Sequence, residues 1–238
     1  MSKVKKIPEE YTQDSFANLM FFGDYVNFGM QLDDLRDFLK EFQKYIEVTN
    51  HHLRTNRLTG YDEEQLGEMK ERFEYSHGEI LRNSIIISLY ILIETELKGY
   101  CNNYCDYGNF KIRVSELKGD ILSRFKVYCT KVIDLPFDFS SGLWEFIENL
   151  QELRNYLVHN NGELEGFNRQ KTLRQFARSN SVITIDEDDI LDITFNGCYQ
   201  AMDEIDRFFV TISELAMQRF PGRHGLKKAD EYKLPIKK

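Results

Sequence analysis

The chain has 238 residues, 42% of them hydrophobic, 29% charged and 13% aromatic, with only four prolines; that is enough for one large domain or a domain with elaborations. A formal net charge of −8 argues against a protein that coats nucleic acid by bulk electrostatics, while leaving room for a local positive cleft on an acidic body. No run reaches the roughly 18 apolar residues of a membrane span, and the opening "MSKVKKIPEEYT" has no apolar stretch behind its lysines, so the expectation is a soluble cytoplasmic protein without a secretory signal or membrane association.

In chain order the pattern is mostly helical. Asp33 to Val48 places Leu35, Phe38, Leu39, Phe42, Tyr45 and Ile46 at the spacing of one apolar helix face. "RTNRLTGYDEEQ" reads as a connection, with Asp62 as N-cap and Gln65 three residues on. Glu63 to about Cys105 reads as one very long helix or two nearly continuous ones. Its stretch Ile85 to Ile93, "IIISLYILI", is apolar nearly all round and so belongs inside a bundle. A β-strand is the other reading, because Ile favours strands, but the following "ETELK" continues at helical period. A loop "DYGNFKIRVS" precedes a helix from about Glu116 to Val132, and Pro136 breaks the chain in "DLPFDFSSG". Ser140 or Ser141 then caps a helix running to about His159, with Asn160, Asn161 and Gly162 suited to its C-terminal turn. Next comes the basic, polar "NRQKTLRQFARSNS", read as a solvated loop, and then "VITIDEDDILDIT", which alternates like a short hairpin. Phe195 to Arg219 is again helical, with Ala201, Ile205, Phe208, Phe209, Ile212, Leu215 and Ala216 on one face, and Pro221 and Gly222 end it. The expected fold is an all-α bundle with a small β insertion near residues 181–193. It divides into an N-terminal helical extension over 1–78, the bundle over 79–220 and a loose basic tail over 221–238.

The stretch "LQELRNYLVHNNGEL" breaks the pattern of its own helix. With Leu143 set at zero and about 100° per residue, Leu143, Phe146, Ile147, Leu150, Leu153 and Leu157 form one buried stripe. Arg154 falls inside that stripe, at about 20°, whereas Asn155 and His159 stand together on the flank at about 120° and 160°, with Glu148 between them. A permanent cation in an apolar stripe is costly unless it is paired or faces a wet cavity. Glu94, or Glu96, on the apolar helix is the expected internal partner. Residue types alone leave two readings open. One is a structural Arg–Glu bridge with a helix-end histidine; the other is a reactive constellation.

"RNYLVH" resembles the arginine, polar residue, three residues, histidine signature of the HEPN superfamily (higher eukaryotes and prokaryotes nucleotide-binding domains). "SLYILIETELKGYC" is similar to the first core helix of many members, and the likeness covers roughly Glu79 to Gln218. The resemblance implies a bundle of four to five core helices, with the N-terminal helices outside it. It also implies a metal-independent endoribonuclease of toxin–antitoxin or antiviral-defence type, with RNA as substrate and no cofactor. Arg154 and His159 match the two signature residues, Asn155 matches the polar residue after the arginine, and Glu94 matches a position that is acidic in some families. Members typically act as homodimers whose two motifs share one cleft, which would supply both an acid and a base, and a neighbouring antitoxin or defence partner is implied. The tyrosine that some members carry two residues past the histidine is absent, since that position is Asn161; this speaks against partner nucleotidyltransferase modification.

Supporting roles fall to Tyr156, read on the polar side at about 220° where it can stack on a base, and to Arg169, Lys171 and Arg174 as an approach for the RNA strand. A surface tyrosine and a solvated charged loop are the plainer readings. Cys101, Cys105, Cys129 and Cys198 lack the spacing of a zinc site and read as reduced thiols, some of them core filling, so no metal is expected. His51, His52, His77 and His224 have no nucleophile or ligand set beside them in sequence. The rival functional reading is a non-catalytic module that binds nucleotide or RNA or serves as an assembly surface.

Overall fold

The computed structural model describes residues 16–55, 60–108, 110–159, 164 and 166–219. The chain is mostly helical, and its described sheet has two strands. The expected turn at Asn160–Gly162, the tail over 221–238 and His224 lie outside the described residues.

Helix α1 runs Phe16–Arg54, far beyond the expected Asp33–Val48. Its apolar face also divides. Leu32, Leu39 and Ile46, seven residues apart, are buried, whereas Phe38 and Tyr45 are each 54% exposed. Helix α2 (Glu63–Glu71) begins at the predicted capping box, with the Asp62 carboxylate accepting from Gln65 N at 2.8 Å and Gln65 Oε1 accepting from Asp62 N at 3.1 Å. A π-helical turn over Arg72–His77 joins it to α3 (Gly78–Gly108), so the predicted continuity holds with one change of winding. Ile85–Ile93 is helical, not a strand. Burial covers Ile85, Ile86, Leu89, Tyr90 and Ile93, yet Ile91 is exposed, so this stretch is enclosed on one side only.

Helix α4 (Ile121–Val127) starts later than the expected Glu116, because Asp120 is the residue that caps it, accepting from Ser123 N at 2.9 Å. It continues into a π-helical turn over Tyr128–Ile133 that closes on Asp134 in the left-handed region, φ 51°. Helix α5 (Gly142–His159) is capped by Ser141, whose Oγ accepts from Trp144 N at 3.3 Å. "NRQKTLRQFARSNS" is not a loop. Gln170–Ser179 forms helix α6, because Leu173 and Phe176, one turn apart, give it a buried edge. Strands β1 (Ile183–Ile185) and β2 (Leu191–Ile193) pair antiparallel, Ile183 opposite Ile193, as the alternation predicted. Thr194 Oγ1 accepts from Gly197 N at 2.8 Å and so caps α7 (Phe195–Arg219).

The chain forms two compact units that interleave distant segments. Unit one gathers the described parts of Met1–Gln31, Leu92–Glu145 and Ile205–Lys238; unit two gathers Leu32–Ile91 and Phe146–Glu204. The divisions fall inside α1, α3, α5 and α7. Unit one is built on aromatic packing. Phe28 meets Phe209 at 4.2 Å, and Trp144 meets Phe139 at 4.8 Å and Phe208 at 6.1 Å, measured between ring centres. Its buried hydroxyls of Tyr100 and Ser213 bond to each other. In unit two, Phe176 packs its ring on Phe146 at 5.4 Å, which seats α6 against α5.

Candidate functional site at the end of helix 5

Arg154, Asn155 and His159 all lie in unit two, on the last turns of α5. Arg154 is half-buried, as expected of a cation in the apolar stripe. Its guanidinium Nη1 donates to Asn155 Oδ1 at 3.2 Å, and its Cζ lies 6.0 Å from the centre of the Tyr90 ring. The Nε edge is buried without a hydrogen-bond partner. No carboxylate answers this charge within the unit's described contacts; a neutral amide does. Glu94, the expected partner, is half-buried on α3 and belongs to unit one, whereas Arg154 belongs to unit two.

His159 is exposed and closes the helix. A five-residue separation turns Arg154 and His159 about 140° apart around the axis. Asn155 spans that gap, since it accepts from Arg154 and stands one turn before His159. The flank of His159 continues upstream through Glu152, half-buried, and Glu148 and Glu145, both exposed.

Two of the expected supporting residues are placed differently. Tyr156 is not a surface ring available for stacking: it is 1% exposed and meets Phe167 edge-on at 5.7 Å. Phe167 thus covers this side of α5, and burial pushes the Tyr156 hydroxyl above its ordinary pKa. Arg174 is not free either, because its Nη2 donates to Asp189 Oδ2 at 2.7 Å. Arg169 lies beside the motif helix, with Nε 3.7 Å from Glu152 Oε1. Lys171 is exposed on α6.

The other chemistry-bearing groups form no second centre. All four cysteines are free and buried. Burial pushes the thiols of Cys101 and Cys129 far up, and that of Cys198 up to about 12, so these are poor nucleophiles near neutrality. Among the described residues no group of three or more His, Cys, Asp or Glu is placed to hold a metal ion. A groove of about 440 Å³ in unit two, lined by Phe42, Tyr45, Phe73, His77, Ile80, Leu81 and Ser84, contains neither Arg154 nor His159. There His77 meets the Phe73 ring edge-on at 4.8 Å, and Ser84 spends its hydroxyl on the Ile80 carbonyl at 2.7 Å. Periodicity does not reveal this groove, because its aromatic lining reads as core at helical spacing.

No helix among the described residues is long and apolar enough to cross a membrane. Comparisons of the chain with protein-family models, with curated proteins and with solved structures give no match.

Proposed function

We propose that the protein is a HEPN-type endoribonuclease of toxin or antiviral-defence kind that works as a homodimer, with Arg154 and His159 as its reacting pair and Asn155 as their link. One observation carries the reading. Arg154 has a partly desolvated guanidinium whose described hydrogen bond goes to a neutral amide, on the helix that ends in an exposed histidine. A cation held this way is ready for an external anion. Its planar fork fits a phosphate in two contacts, and its charge does not titrate away.

The reaction that suits such a pair takes its nucleophile from the substrate. The ribose 2′-oxygen bonds to the adjacent phosphorus as its proton passes to a base, and the bond from phosphorus to the 5′-oxygen breaks as that oxygen gains a proton. The products are a cyclic phosphate and a free 5′-hydroxyl. Arg154 stabilises the extra negative charge of the five-coordinate phosphorus. His159 transfers a proton near neutral pH, where imidazole exchanges protons readily. One histidine does not supply acid and base together, so a second copy of the motif completes the site. Two arginines across one cleft also provide a local positive field on a chain of net charge −8.

The rival reading is a bundle that binds nucleotide or RNA without cutting it. Incubation of purified protein with total RNA in the presence of a chelator separates the two. The expected result is cleavage by the wild type, lost by 100-fold or more, on the order of a general acid–base contribution, in His159→Ala, with the oligomeric state by light scattering unchanged. RNA cut equally by the His159→Ala chain, or not at all by wild type, would sink the ribonuclease.

A further inference from the structure

The basic segment that follows the motif helix is itself a helix, and its Arg169 is held on α5 by a weak ion pair. Lys171 is exposed and stands about 140° round α6 from Phe176, the residue that packs on α5. Arg174 has its charge answered by Asp189 at 2.7 Å. Arg169 differs from both. Its side chain is 65% exposed and touches Glu152, 22% exposed, through a single N–O approach of 3.7 Å. A pair that long and that open to water contributes little, and neither Nη group is engaged by it.

Glu152 lies at about 180° on the α5 wheel, on the flank of Asn155 and His159, and about 10 Å along the axis before His159. The parked arginine therefore lies beside the proposed reaction site, displaced from it by two helical turns. A strand that runs from the cleaved phosphate along the Asn155–His159 flank, the side of α5 opposite the Arg154 position, would carry a neighbouring phosphate past Arg169.

We propose that Glu152 stores Arg169 for that neighbouring RNA phosphate, the guanidinium leaving the carboxylate for the strand as RNA binds; this rests on the ribonuclease reading above. A two-pronged contact with phosphate is stronger than the one-pronged Nε contact it replaces. Glu152 thus sets the affinity in two ways: it competes for Arg169, and its own negative charge opposes the incoming strand. A structural salt bridge predicts that loss of either partner acts alike. Storage predicts that the two losses act in opposite directions.

The test is fluorescence anisotropy with a short, mixed-sequence, fluorescein-labelled single-stranded RNA, using the His159→Ala chain so that nothing is cut, between roughly 50 and 200 mM salt. Arg169→Ala is expected to weaken binding about tenfold and to lower the salt slope by about 0.7, the value of one single-strand phosphate contact. Glu152→Gln is expected to tighten binding about threefold, and Arg174→Ala to change it by less than twofold, because that charge is already neutralised. Loss of affinity in both Arg169→Ala and Glu152→Gln, or change in neither, overturns the storage role. Wild-type cleavage whose KM is unmoved by Arg169→Ala overturns it while leaving the ribonuclease standing. No RNA binding by the His159→Ala chain, with wild type inert on total RNA, overturns both.

Discussion

Two arginines of the same compact unit stand in similar burial and have opposite electrostatic fates. Arg82 on α3 is 12% exposed; it donates from Nη2 to Asp192 Oδ1 at 2.8 Å and lies 5.2 Å from the Phe195 ring centre. Arg154 on α5 lies over a ring too, Tyr90, at 6.0 Å, but donates to an amide at 3.2 Å. Both have a buried Nε without a hydrogen-bond partner. The corner around Arg82 is closed by the chain itself. Gly78 leaves room for its guanidinium, which would lie 2.9 Å from an added Cβ; Asp192 comes from β2; and Cys198 directs its thiol at the Arg82 carbonyl from 3.9 Å. At the end of α5 no carboxylate among the described residues answers the charge. The contrast teaches that partial burial of an arginine does not mark a site. What separates the two is the counter-charge, which the described contacts supply to Arg82 and not to Arg154.

The largest effect should come from overfilling the closed corner. Gly197 sits in the first turn of α7, where an added Cβ would lie 2.2 Å from the Val182 carbonyl oxygen and 2.8 Å from Val182 Cα. Both are backbone, so no side chain can move aside, and the strand leading into β1 would have to shift. Gly197→Ala should cost about 3 kcal/mol, the upper part of the range for overpacking, read as a lowered urea midpoint. A midpoint unchanged from wild type would show that α7 and the segment before β1 are not held that closely.

The next effect sets the two arginines against each other. Arg82→Met should lower stability by about 2 kcal/mol, since it removes a charge-assisted hydrogen bond and a cation–ring contact from a mostly enclosed side chain. Arg154→Met should leave the urea midpoint unchanged or raised, because it removes a poorly compensated cation from an apolar stripe. Under the proposed function the ranking reverses in a cleavage assay, where Arg154→Met should lose about 100-fold or more and Arg82→Met little beyond its unfolded fraction. If the two variants are equally destabilised, the contrast between closed and open sites fails.

How far this contrast was legible in the sequence depends on which contacts are local. The capping box at Asp62, the start of α5 near Ser141 and the whole of α7 followed from periodicity and caps, which are properties of neighbouring residues. The placing of Arg154 in the buried stripe, with Asn155 and His159 on its flank, followed from the wheel. Tyr156 did not, because a wheel orders residues around one helix and says nothing of what returns to cover it; Phe167 does that here. Helix α6 was hidden because its apolar edge is only Leu173 and Phe176 among basic and polar residues, too few to stand out from a charged loop. The split face of α1, with Phe38 and Tyr45 exposed, also depends on which distant element packs on which side. The paired Arg82 and Asp192, 110 residues apart, were equally beyond a local pattern.

The smallest effect concerns the tie between α6 and the hairpin, which decides whether Arg174 is spent. Asp189 occupies the left-handed region at φ 62°, a conformation that Asp and Asn tolerate better than most residues. The neighbouring Asp186 supports the turn, its Oδ1 accepting from Asp188 N at 3.0 Å and Ile190 N at 2.8 Å. The hydrogen bond from Arg174 holds the Asp189 carboxyl below its ordinary value, and that of Arg174 is raised in turn. A carboxyl depressed in the folded state adds stability above its unfolded pKa, near 4, and loses it as pH falls through the folded value. Asp189→Asn keeps the backbone preference and removes the charge. The difference in urea midpoint between wild type and Asp189→Asn should therefore be small and constant above about pH 5, and should shrink toward zero as the carboxyl protonates. In RNA-binding assays the same variant frees Arg174. If Asp189→Asn raises affinity as much as Glu152→Gln does, the basic face of α6 acts as a whole and Arg169 holds no special place; if it does not, the cation beside α5 is the one that matters.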